Sequence, residues 1–470
     1  MAEADITKAA TRRISAVAMQ ARPEFPALFL LACVILIQFF AIPVIPGIGL
    51  APENFVFLVV VLIYGTRLAR LAFGGGRVST VVLLLATFGV LAWIAGFLRG
   101  EPLGNPGRHF RAAIYMLMLV EVCSHAARRQ QIMKLLVLVG VVQVIFGSLV
   151  YFVGEPFASI RDWMLSSAQS GETVIGKGSQ IASTYGDPHL FAYLLTGLPF
   201  VAIHLFLREK KLHWLLALLA LLLGLFLNAE RSAAAAFLAG MVYLLFRSPQ
   251  RARNLTVLAI LCVAFLAMKQ IIGSRTPSGT SGMESTVAYS HGTLSDRFGG
   301  TNLAEIADRI MYQVHGIESV LKHPIAGPTQ RQYAREVVGG DAIVSSAVTA
   351  AVLAPHNHYI DAGVAAGVVG WLMMAWCLWA LWKAQRTVRA AVRARLPELR
   401  VEALCISVGL AAVMGNAVFH NAGIFSPEIA TTSIAGLLLA QYRQVLREPL
   451  RRLPATDSDS EAGDASKCAS

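Results

Sequence analysis

The most regular feature of this chain is a series of long apolar runs separated by short polar connections. An α-helix needs about 20 apolar residues to cross the hydrocarbon core of a bilayer. Several runs approach that length, and their interiors are nearly free of charged residues. The sequence predicts twelve membrane spans, at 27–47, 54–66, 78–98, 110–124, 133–153, 188–206, 212–228, 232–246, 254–272, 359–382, 401–420 and 427–442. The runs at 54–66 and 110–124 need flanking residues to be long enough.

Lysine and arginine residues collect in every second connection. Short connections rich in these residues stay on the cytoplasmic side of a membrane. We therefore expect both termini in the cytoplasm, with a cytoplasmic segment at 1–26 and a tail at 443–470. The tail is polar after Pro454, and we expect it to be disordered. No removable signal peptide is predicted, so the first span is retained.

Two connections on the other side are long, at 154–187 and 273–358, and loops of that length are uncommon without a function. The longer loop contains a helical pattern, which His323-Pro324 ends. Its apolar positions recur at three- and four-residue steps: Leu303, Ile306, Ile310, Val314, Ile317 and Leu321. We expect this amphipathic helix to rest on the membrane surface or to cover a cavity from outside.

The expected architecture is an all-α, polytopic integral membrane protein. Spans 1–9 lie in 27–272, a large and partly helical external loop occupies 273–358, and spans 10–12 lie in 359–442. Composition agrees, because 14% of the residues are charged and a soluble domain has about a quarter. The net charge of +12 would suit nucleic acid, but the basic residues occupy the connections where topology requires them. We therefore expect membrane lipids, and no nucleic acid, as partners.

Six cysteines are present, but they show neither a Cys-x-x-Cys pair nor a Cys/His metal spacing. We predict no metal site and no cofactor. Polar groups at span ends are the better candidates for chemistry, because they are costly beside lipid and tend to mark function.

Arg231 follows Asn228-Ala229-Glu230 at the outer mouth between two spans. It either pairs with Glu230 or extends to lipid headgroups, or its planar guanidinium binds a phosphate or pyrophosphate. We favour phosphate binding. Arg309, in the loop helix, is either a solvated charge or a second phosphate contact. His323 is either a residue of the helix terminus only or part of the same site.

The densest polar cluster is Pro355-His356-Asn357-His358-Tyr359-Ile360-Asp361, where the long loop meets the tenth span. Unperturbed imidazole titrates near pH ~6.5, so His356 can accept a proton at neutral pH and is the best candidate for a general base. Tyr359 alone is better explained by the aromatic belt at the membrane interface. Gly367 and Gly370 would let a neighbouring helix pack closely.

These residues resemble the signature of the O-antigen ligase family. The pattern is His356-Asn357, nine residues, and then Gly367-x-x-Gly370. Three further stretches are similar to that family: Thr184 to His189, Glu230-Arg231-Ser232, and Arg309 with His323-Pro324-x-x-Gly327. Twelve spans with a large external loop before the last three also resemble its plan. The superfamily includes O-antigen and exopolysaccharide polymerases and some protein O-oligosaccharyltransferases.

The resemblance implies a glycosyltransferase at the periplasmic face of the bacterial inner membrane. The donor would be a glycan on undecaprenyl pyrophosphate, and the acceptor would be lipid A–core or another lipid-linked glycan. His356 would be the catalytic histidine, activating or positioning the acceptor hydroxyl. Arg231 would hold the pyrophosphate, and Arg309 would add a second basic contact. Asn357 and His323 would complete the substrate-binding set.

Pyrophosphate is a good leaving group, so the reaction needs no metal if arginines neutralise the departing charge. Direct displacement would invert the anomeric centre. This sequence departs from the family at Gln180, where an arginine is often found, and we expect Lys177 to compensate. His189 also stands where asparagine is common.

Three alternatives stay open. Ligase and polymerase differ in acceptor choice, which depends on cavity shape. A transporter or flippase for a lipid-linked glycan would have charged or discontinuous helices at mid-membrane, and the nearly charge-free spans favour it less. A structural or assembly protein would have no basic cavity between Arg231 and His356.

Overall fold

The computed structural model describes residues 25–40, 52–100, 106–168, 181–185, 187–247, 303–329, 332–333 and 355–447. Within these ranges the chain is helical, and the one β-type pairing is an isolated bridge between Gly423 and Pro427. The α-helices are α1 (Phe25–Phe40), α2 (Pro52–Phe73), α3 (Gly76–Leu98), α4 (Gly107–Cys123), α5 (Ala126–Phe152), α6 (Phe157–Ala168), α7 (Pro188–Glu209), α8 (Leu212–Asn228), α9 (Arg231–Arg247), α10 (Leu303–Lys322), α11 (His358–Ala394), α12 (Arg400–Asn416) and α13 (Ile429–Arg447).

Six helical segments among the described residues are long and apolar enough to cross a membrane: α2, α3, α5, α7, α11 and Pro397–Phe419, which contains α12. A helix occupies every predicted span except 254–272, which lies outside the described residues. α2 extends well beyond the short run at 54–66, as its length required. The described part of the chain is therefore all-α and has the long apolar helices of a membrane protein, and the total of twelve spans stays a prediction.

Helical structure also occurs in two segments outside the predicted spans. α13 continues to Arg447, into the segment predicted as a tail, and the rest of that tail lies outside the described residues. The connection at 154–187 contains α6 and a short 3₁₀ helix at Ser183–Tyr185. Hydropathy locates the apolar core of a helix better than its ends, because the terminal turns are polar and satisfied by caps.

α7 lies at the centre of the bundle and packs against α5, α8, α9, α12 and α13. In the most apolar stretch of α7, 89% of the residues are buried. This burial explains why the helix is apolar on all sides. A Cβ at Gly197 would overlap the side chain of Ile434, so this glycine permits the close approach of α13. Asp187 caps the start of α7 by accepting the His189 N–H at 2.7 Å, and Pro188 occupies the first turn. The first turn of α7 is thus fixed in the centre of the molecule.

The helix predicted in the long loop is confirmed as α10. Its apolar stripe is exposed at Ile310, Val314, Ile317 and Leu321. The face that packs on α11 carries smaller residues instead: Gly316 approaches Pro355 and Ile360, and Ser319 and Val320 are buried. Small residues therefore dock α10 on the bundle.

α11 is interrupted at Ala366 and Gly367, where Gly367 has a φ of 65°. The His323–Gly327 turn occupies the break: Val368 donates its N–H to the Pro324 carbonyl at 2.9 Å. A Cβ at Gly367 would overlap the Pro324 carbonyl oxygen, and one at Gly327 would overlap that of Val364. The glycine spacing was predicted to admit a neighbouring helix, but at Gly367 the neighbour is the backbone of a turn. Gly370 contacts Ala362 of its own helix, because the break folds α11 back on itself.

A buried ionic cluster joins five helices at the opposite end from the start of α7. The Arg129 guanidinium binds the Glu402 carboxylate, and both side chains are buried. Gln441 donates to Glu402 Oε1 at 2.9 Å, and His204 Nε2 lies 3.7 Å from Glu402 Oε2. Arg129 Nη1 also donates to the Cys123 carbonyl at 2.8 Å. Each charge therefore has partners, which a buried ion pair requires.

Candidate functional site

Three ionisable side chains meet where α7 and α9 begin: His189, Glu230 and His420. His189 lies in the first turn of α7, Glu230 precedes α9, and His420 follows the 3₁₀ turn Ala417–Phe419 after α12. His189 Nδ1 lies 2.9 Å from Glu230 Oε1, and His420 Nε2 lies 3.7 Å from Glu230 Oε2. The centroids of the two imidazole rings are 4.8 Å apart. We refer to these residues as the His–Glu–His cluster.

The connection between α8 and α9 holds Glu230 beside α7. Asn228 Nδ2 donates to the carbonyls of Ile181 and Pro188, both at 2.9 Å, and so ties the end of α8 to the start of α7. Ala229 then turns the chain with a φ of 56°. The Glu230 carbonyl accepts the Ala234 N–H at 3.1 Å and begins α9. The backbone thus directs this carboxylate to His189.

His420 is buried and belongs to a polar network. Its Nε2 lies 2.8 Å from Ser232 Oγ, and Ser232 Oγ donates to Asn416 Oδ1 at 2.8 Å. Burial, reinforced by the nearby His189, lowers the pKa of His420 to about 3. The carboxylate of Glu230 opposes this effect without overcoming it. His420 is therefore neutral at physiological pH.

Of the residues that the sequence singles out, Arg309 and His356 lie close to this cluster, and Arg231 is the chain neighbour of Glu230. Arg309 and His356 are close enough for their charges to lower the pKa of His420. Arg231 lies between Glu230 and Ser232 in the chain and is exposed. Arg309 and His356 are half-buried. Three separate segments thus bring basic side chains to one place.

Glu230 contacts the imidazoles of His189 and His420, and the choice between pairing with Glu230 and phosphate binding stays a prediction for Arg231. His356 has a φ of 48°, in the left-handed region that side chains rarely adopt. Such backbone strain clusters at functional sites.

Asn357 caps α11: its Oδ1 accepts the N–H of Tyr359 at 3.0 Å and that of Ile360 at 3.3 Å. The side chain is buried. In the structure, Asn357 therefore caps the start of α11 directly after His356. Substrate binding by Asn357 stays a prediction. His358 is buried too, and its Nε2 accepts the Phe425 N–H at 3.1 Å. Of the two histidines in the motif, His356 is the more accessible.

His323 ends α10. Its N–H donates to the Ser319 carbonyl, and its own carbonyl accepts the Gly327 N–H, both at 3.0 Å. The motif His323-Pro324-x-x-Gly327 therefore forms the turn that fills the break in α11, and contact of His323 with substrate stays a prediction. Lys177 and Gln180 lie outside the described residues.

Sequence reasoning missed two members of this region. His420 lies at the end of the predicted span 401–420 and was not considered a site residue. It is nevertheless a polar residue at a span end, as Arg231 is. Arg99 follows α3, and its Nη1 donates to the carbonyls of Ala326, Pro328 and Val364 at 2.9, 3.2 and 2.8 Å. No local pattern distinguishes Arg99 from an ordinary arginine in a connection.

The nitrogen and carboxylate atoms of the His–Glu–His cluster lie within 4.8 Å of one another, a spacing that also suits a metal ion. Two features favour a proton over a cation. His189 and Glu230 are in direct contact at 2.9 Å, and the nearby Arg309 repels a second positive charge.

Comparison with known proteins agrees with the motifs. Residues 216–375 match the family model described as O-Antigen ligase. The match includes Glu230, Arg231, Arg309, His323 and His356, and this part of the chain agrees with the family resemblance of the motifs. No curated protein matches this chain.

Proposed function

Because residues 216–375 belong to the O-antigen ligase family, we propose that this protein transfers a glycan from undecaprenyl pyrophosphate to an acceptor hydroxyl. The reaction takes place at the periplasmic face of the bacterial inner membrane, and both termini are cytoplasmic. The observation that carries the proposal is that Arg309 and His356, from two segments, lie close to the buried His420, which Glu230 and Ser232, the two chain neighbours of Arg231, also contact. The alternating basic connections support the orientation.

The proposed chemistry is a direct displacement. The acceptor oxygen attacks the anomeric carbon, the bond from that carbon to the pyrophosphate oxygen breaks, and the pyrophosphate leaves with the bonding electrons. Guanidinium groups bind phosphate oxygens in pairs, so Arg231 and Arg309 offset the charge that grows on the leaving group. His356 activates or positions the hydroxyl. The arginines take the place of a metal ion, and the anomeric centre is inverted.

We propose O-antigen ligation to lipid A–core, in lipopolysaccharide biosynthesis, as the physiological reaction. The match to the family model described as O-Antigen ligase fits both ligation and polymerisation. Deletion of the gene separates the two. A ligase leaves uncapped lipopolysaccharide and accumulated lipid-linked polymer, whereas a polymerase leaves caps of a single repeat unit.

Substitution of the proposed catalytic histidine tests the transferase directly. In membranes supplied with donor and acceptor, His356→Ala should abolish transfer, because the hydroxyl is no longer activated or held. His315→Ala is the matched control: His315 is a half-exposed histidine on α10 that contacts Glu318 at 3.5 Å. Expression should be normal for both variants. Transfer by His356→Ala at the level of the control would contradict the proposal.

One observation favours a second function, transport of the lipid-linked glycan. The interruption of α11 at Ala366 and Gly367 resembles the discontinuous helices of transporters. In those proteins, however, the unwound backbone is left for the substrate, whereas here the His323–Gly327 turn contacts it. Movement of a fluorescent lipid-linked glycan across vesicles without acceptor would support transport.

A further inference from the structure

A small pocket lies on the side of the bundle that holds the buried ion pair, between the α4–α5 turn and the helices α1 and α2. Its polar lining residues are Tyr64, Arg67, Glu121, His125 and Arg128. The orientation proposed above puts this pocket at the cytoplasmic leaflet, because the connections on this side are the basic ones. The groups proposed for glycan transfer lie at the other end of the bundle.

Positive charge exceeds negative charge around this pocket. Arg67 and Arg128 line it. The Glu121 carboxylate, which also lines it, binds Nη1 of Arg443 on α13. Arg447 is close enough to Glu121 and Arg443 to interact with both charges. Four guanidinium groups and one carboxylate therefore lie together here among the described residues, and a bound anion would offset the excess charge.

The first turn of α5 is a second source of positive potential. His125 precedes this helix in an extended conformation, and its side chain makes no capping hydrogen bond. The first N–H groups of a helix have no acceptor within the helix, and they carry the positive end of its dipole. His125 and Arg128 flank this turn, and both line the pocket. Phosphate groups bind at helix N-termini and to arginines, and this pocket combines the two.

The neighbouring surface of α2 is apolar and exposed. Leu62 is 75% exposed and Ile63 is 56% exposed, about one turn before Arg67, which is also exposed. Arg67 lies within the last two turns of α2, a helix long and apolar enough to cross a membrane. In a bilayer, Leu62 and Ile63 would contact acyl chains while the Arg67 guanidinium reaches the headgroups. A ligand in this pocket therefore meets basic groups and hydrocarbon side by side, which favours an amphiphile over a soluble anion.

We propose that this pocket binds the headgroup phosphate of an anionic phospholipid. Arg67 and Arg128 pair with the phosphate oxygens, and the first turn of α5 adds its partial positive charge. The pocket is small and partly open, so the phosphate is held at its rim while the acyl chains stay in the bilayer. Basic pockets between membrane helices on the cytoplasmic side bind such headgroups in other proteins. The inference concerns lipid binding alone and does not depend on the transferase function.

Lipid retention by the full-length protein tests this site. The purified protein in a neutral detergent receives equal amounts of phosphatidylglycerol and phosphatidylcholine, and native mass spectrometry measures which lipid stays bound. The wild type should prefer phosphatidylglycerol. Arg67→Gln should lower the affinity for this lipid about fivefold, because one cationic contact with the headgroup is lost. Arg67→Lys should keep most of the affinity.

Arg70→Gln is the matched control. Arg70 is exposed and lies about one turn after Arg67 on α2, but it is not among the residues that line the pocket. This variant should retain phosphatidylglycerol as the wild type does. Equal losses in Arg67→Gln and Arg70→Gln would mean a general attraction of the surface for anionic lipids and would overturn the site. A wild type without preference between the two lipids would overturn it as well.

Glycerol 1-phosphate distinguishes a lipid from a soluble phosphate. At millimolar concentration it should leave the Tm of the wild type unchanged, because hydrocarbon contacts contribute to binding, whereas phosphatidylglycerol should raise that Tm. If glycerol 1-phosphate raises the Tm as much, and Arg67→Gln removes the effect, the pocket takes a soluble phosphate and the lipid assignment is wrong. His125→Asp, which places a carboxylate beside the proposed phosphate, is a second variant and should also lose the lipid preference. Tm values equal to that of the wild type in lipid-free detergent confirm that the variants fold.

Discussion

Four histidines lie near the start of α7 and of α11, and their surroundings give them different roles. His358 and His420 are buried and accept or share hydrogen bonds within the protein. His356 and His189 are half-buried, and His189 alone among the four is paired at 2.9 Å with a carboxylate in the described contacts. An imidazole is equally able to form a core hydrogen bond or to transfer a proton, so burial and partners decide between these roles.

The neutral state of His420 predicts how stability depends on pH. Its pKa is about 3 in the folded protein, below the ordinary value of 6.5. The unfolded chain therefore binds a proton below pH ~6.5 that the folded protein does not bind, and stability falls as the pH drops, by up to about 1.4 kcal/mol per pH unit. We expect His420→Gln to show a shallower loss of Tm between about pH 6.5 and 4.5.

The comparison of the two slopes isolates His420 from the other titrating groups. His315→Ala, which alters a partly exposed histidine, should keep the wild-type slope. Equal slopes for wild type and His420→Gln would mean that His420 is protonated in the folded state.

At the scale of the helices, the break in α11 couples the external helix to the bundle. The turn after α10 inserts its backbone at Gly367, and Arg99 donates to three carbonyls around the same point. Arg309 on α10 and His356 before α11 are held by these contacts, since α10 also packs on Pro355 and Ile360. The His323-Pro324-x-x-Gly327 motif thus positions the site through its backbone.

Gly367→Ala tests this coupling. A Cβ at this position would overlap the backbone of Pro324 and Ile325, and the φ of 65° is itself strained for alanine. We expect a loss of more than about 1 kcal/mol in stability and a larger loss of transfer activity, because the turn must move out of the break. Thermal unfolding in detergent and a transfer assay measure the two effects.

Gly415→Ala is the matched control, because its Cβ would lie 3.9 Å from the Ala236 Cβ, an ordinary contact. The control should be as stable as wild type or slightly more so, since alanine favours a helix. If both variants behave alike, the turn does not depend on close packing at Gly367.

At the scale of the whole molecule, the two ends of the bundle are built differently. The end with the His–Glu–His cluster is basic and partly accessible, whereas the other end is closed by Arg129, Glu402 and their partners. α7 and α12 connect the two, carrying His189 and Asn416 at one end and His204 and Glu402 at the other. The buried ion pair thus serves the assembly of the bundle that positions the site.

Removal of one buried charge should therefore be costly. Glu402→Leu leaves Arg129 buried without its carboxylate, and we expect a loss of about 3–5 kcal/mol in stability. The double substitution Arg129→Leu with Glu402→Leu should recover much of that loss, because no uncompensated charge remains. Unfolding in detergent measures both. A single variant as stable as the double variant would show that water reaches the pair.

The sequence alone determined the helices and several of their ends. Long apolar runs predicted a helix wherever the structure describes one of the spans, and the three- and four-residue repeat predicted α10 with its stop at His323-Pro324. These properties are local, because hydropathy and capping depend on residues within a few turns of one another. The motifs also identified Arg231, Arg309 and His356 as candidates.

Tertiary structure alone decided which of these residues meet. His189, Glu230 and His420 are far apart in the chain, and their contact depends on how α7, α9 and α12 pack side by side. Hydropathy predicts that a residue is buried, but it does not predict which residues surround it. Those neighbours depend on small residues such as Gly197, which allow close helix packing, and on buried polar contacts such as those of Asn228. Their partners lie on other segments of the chain.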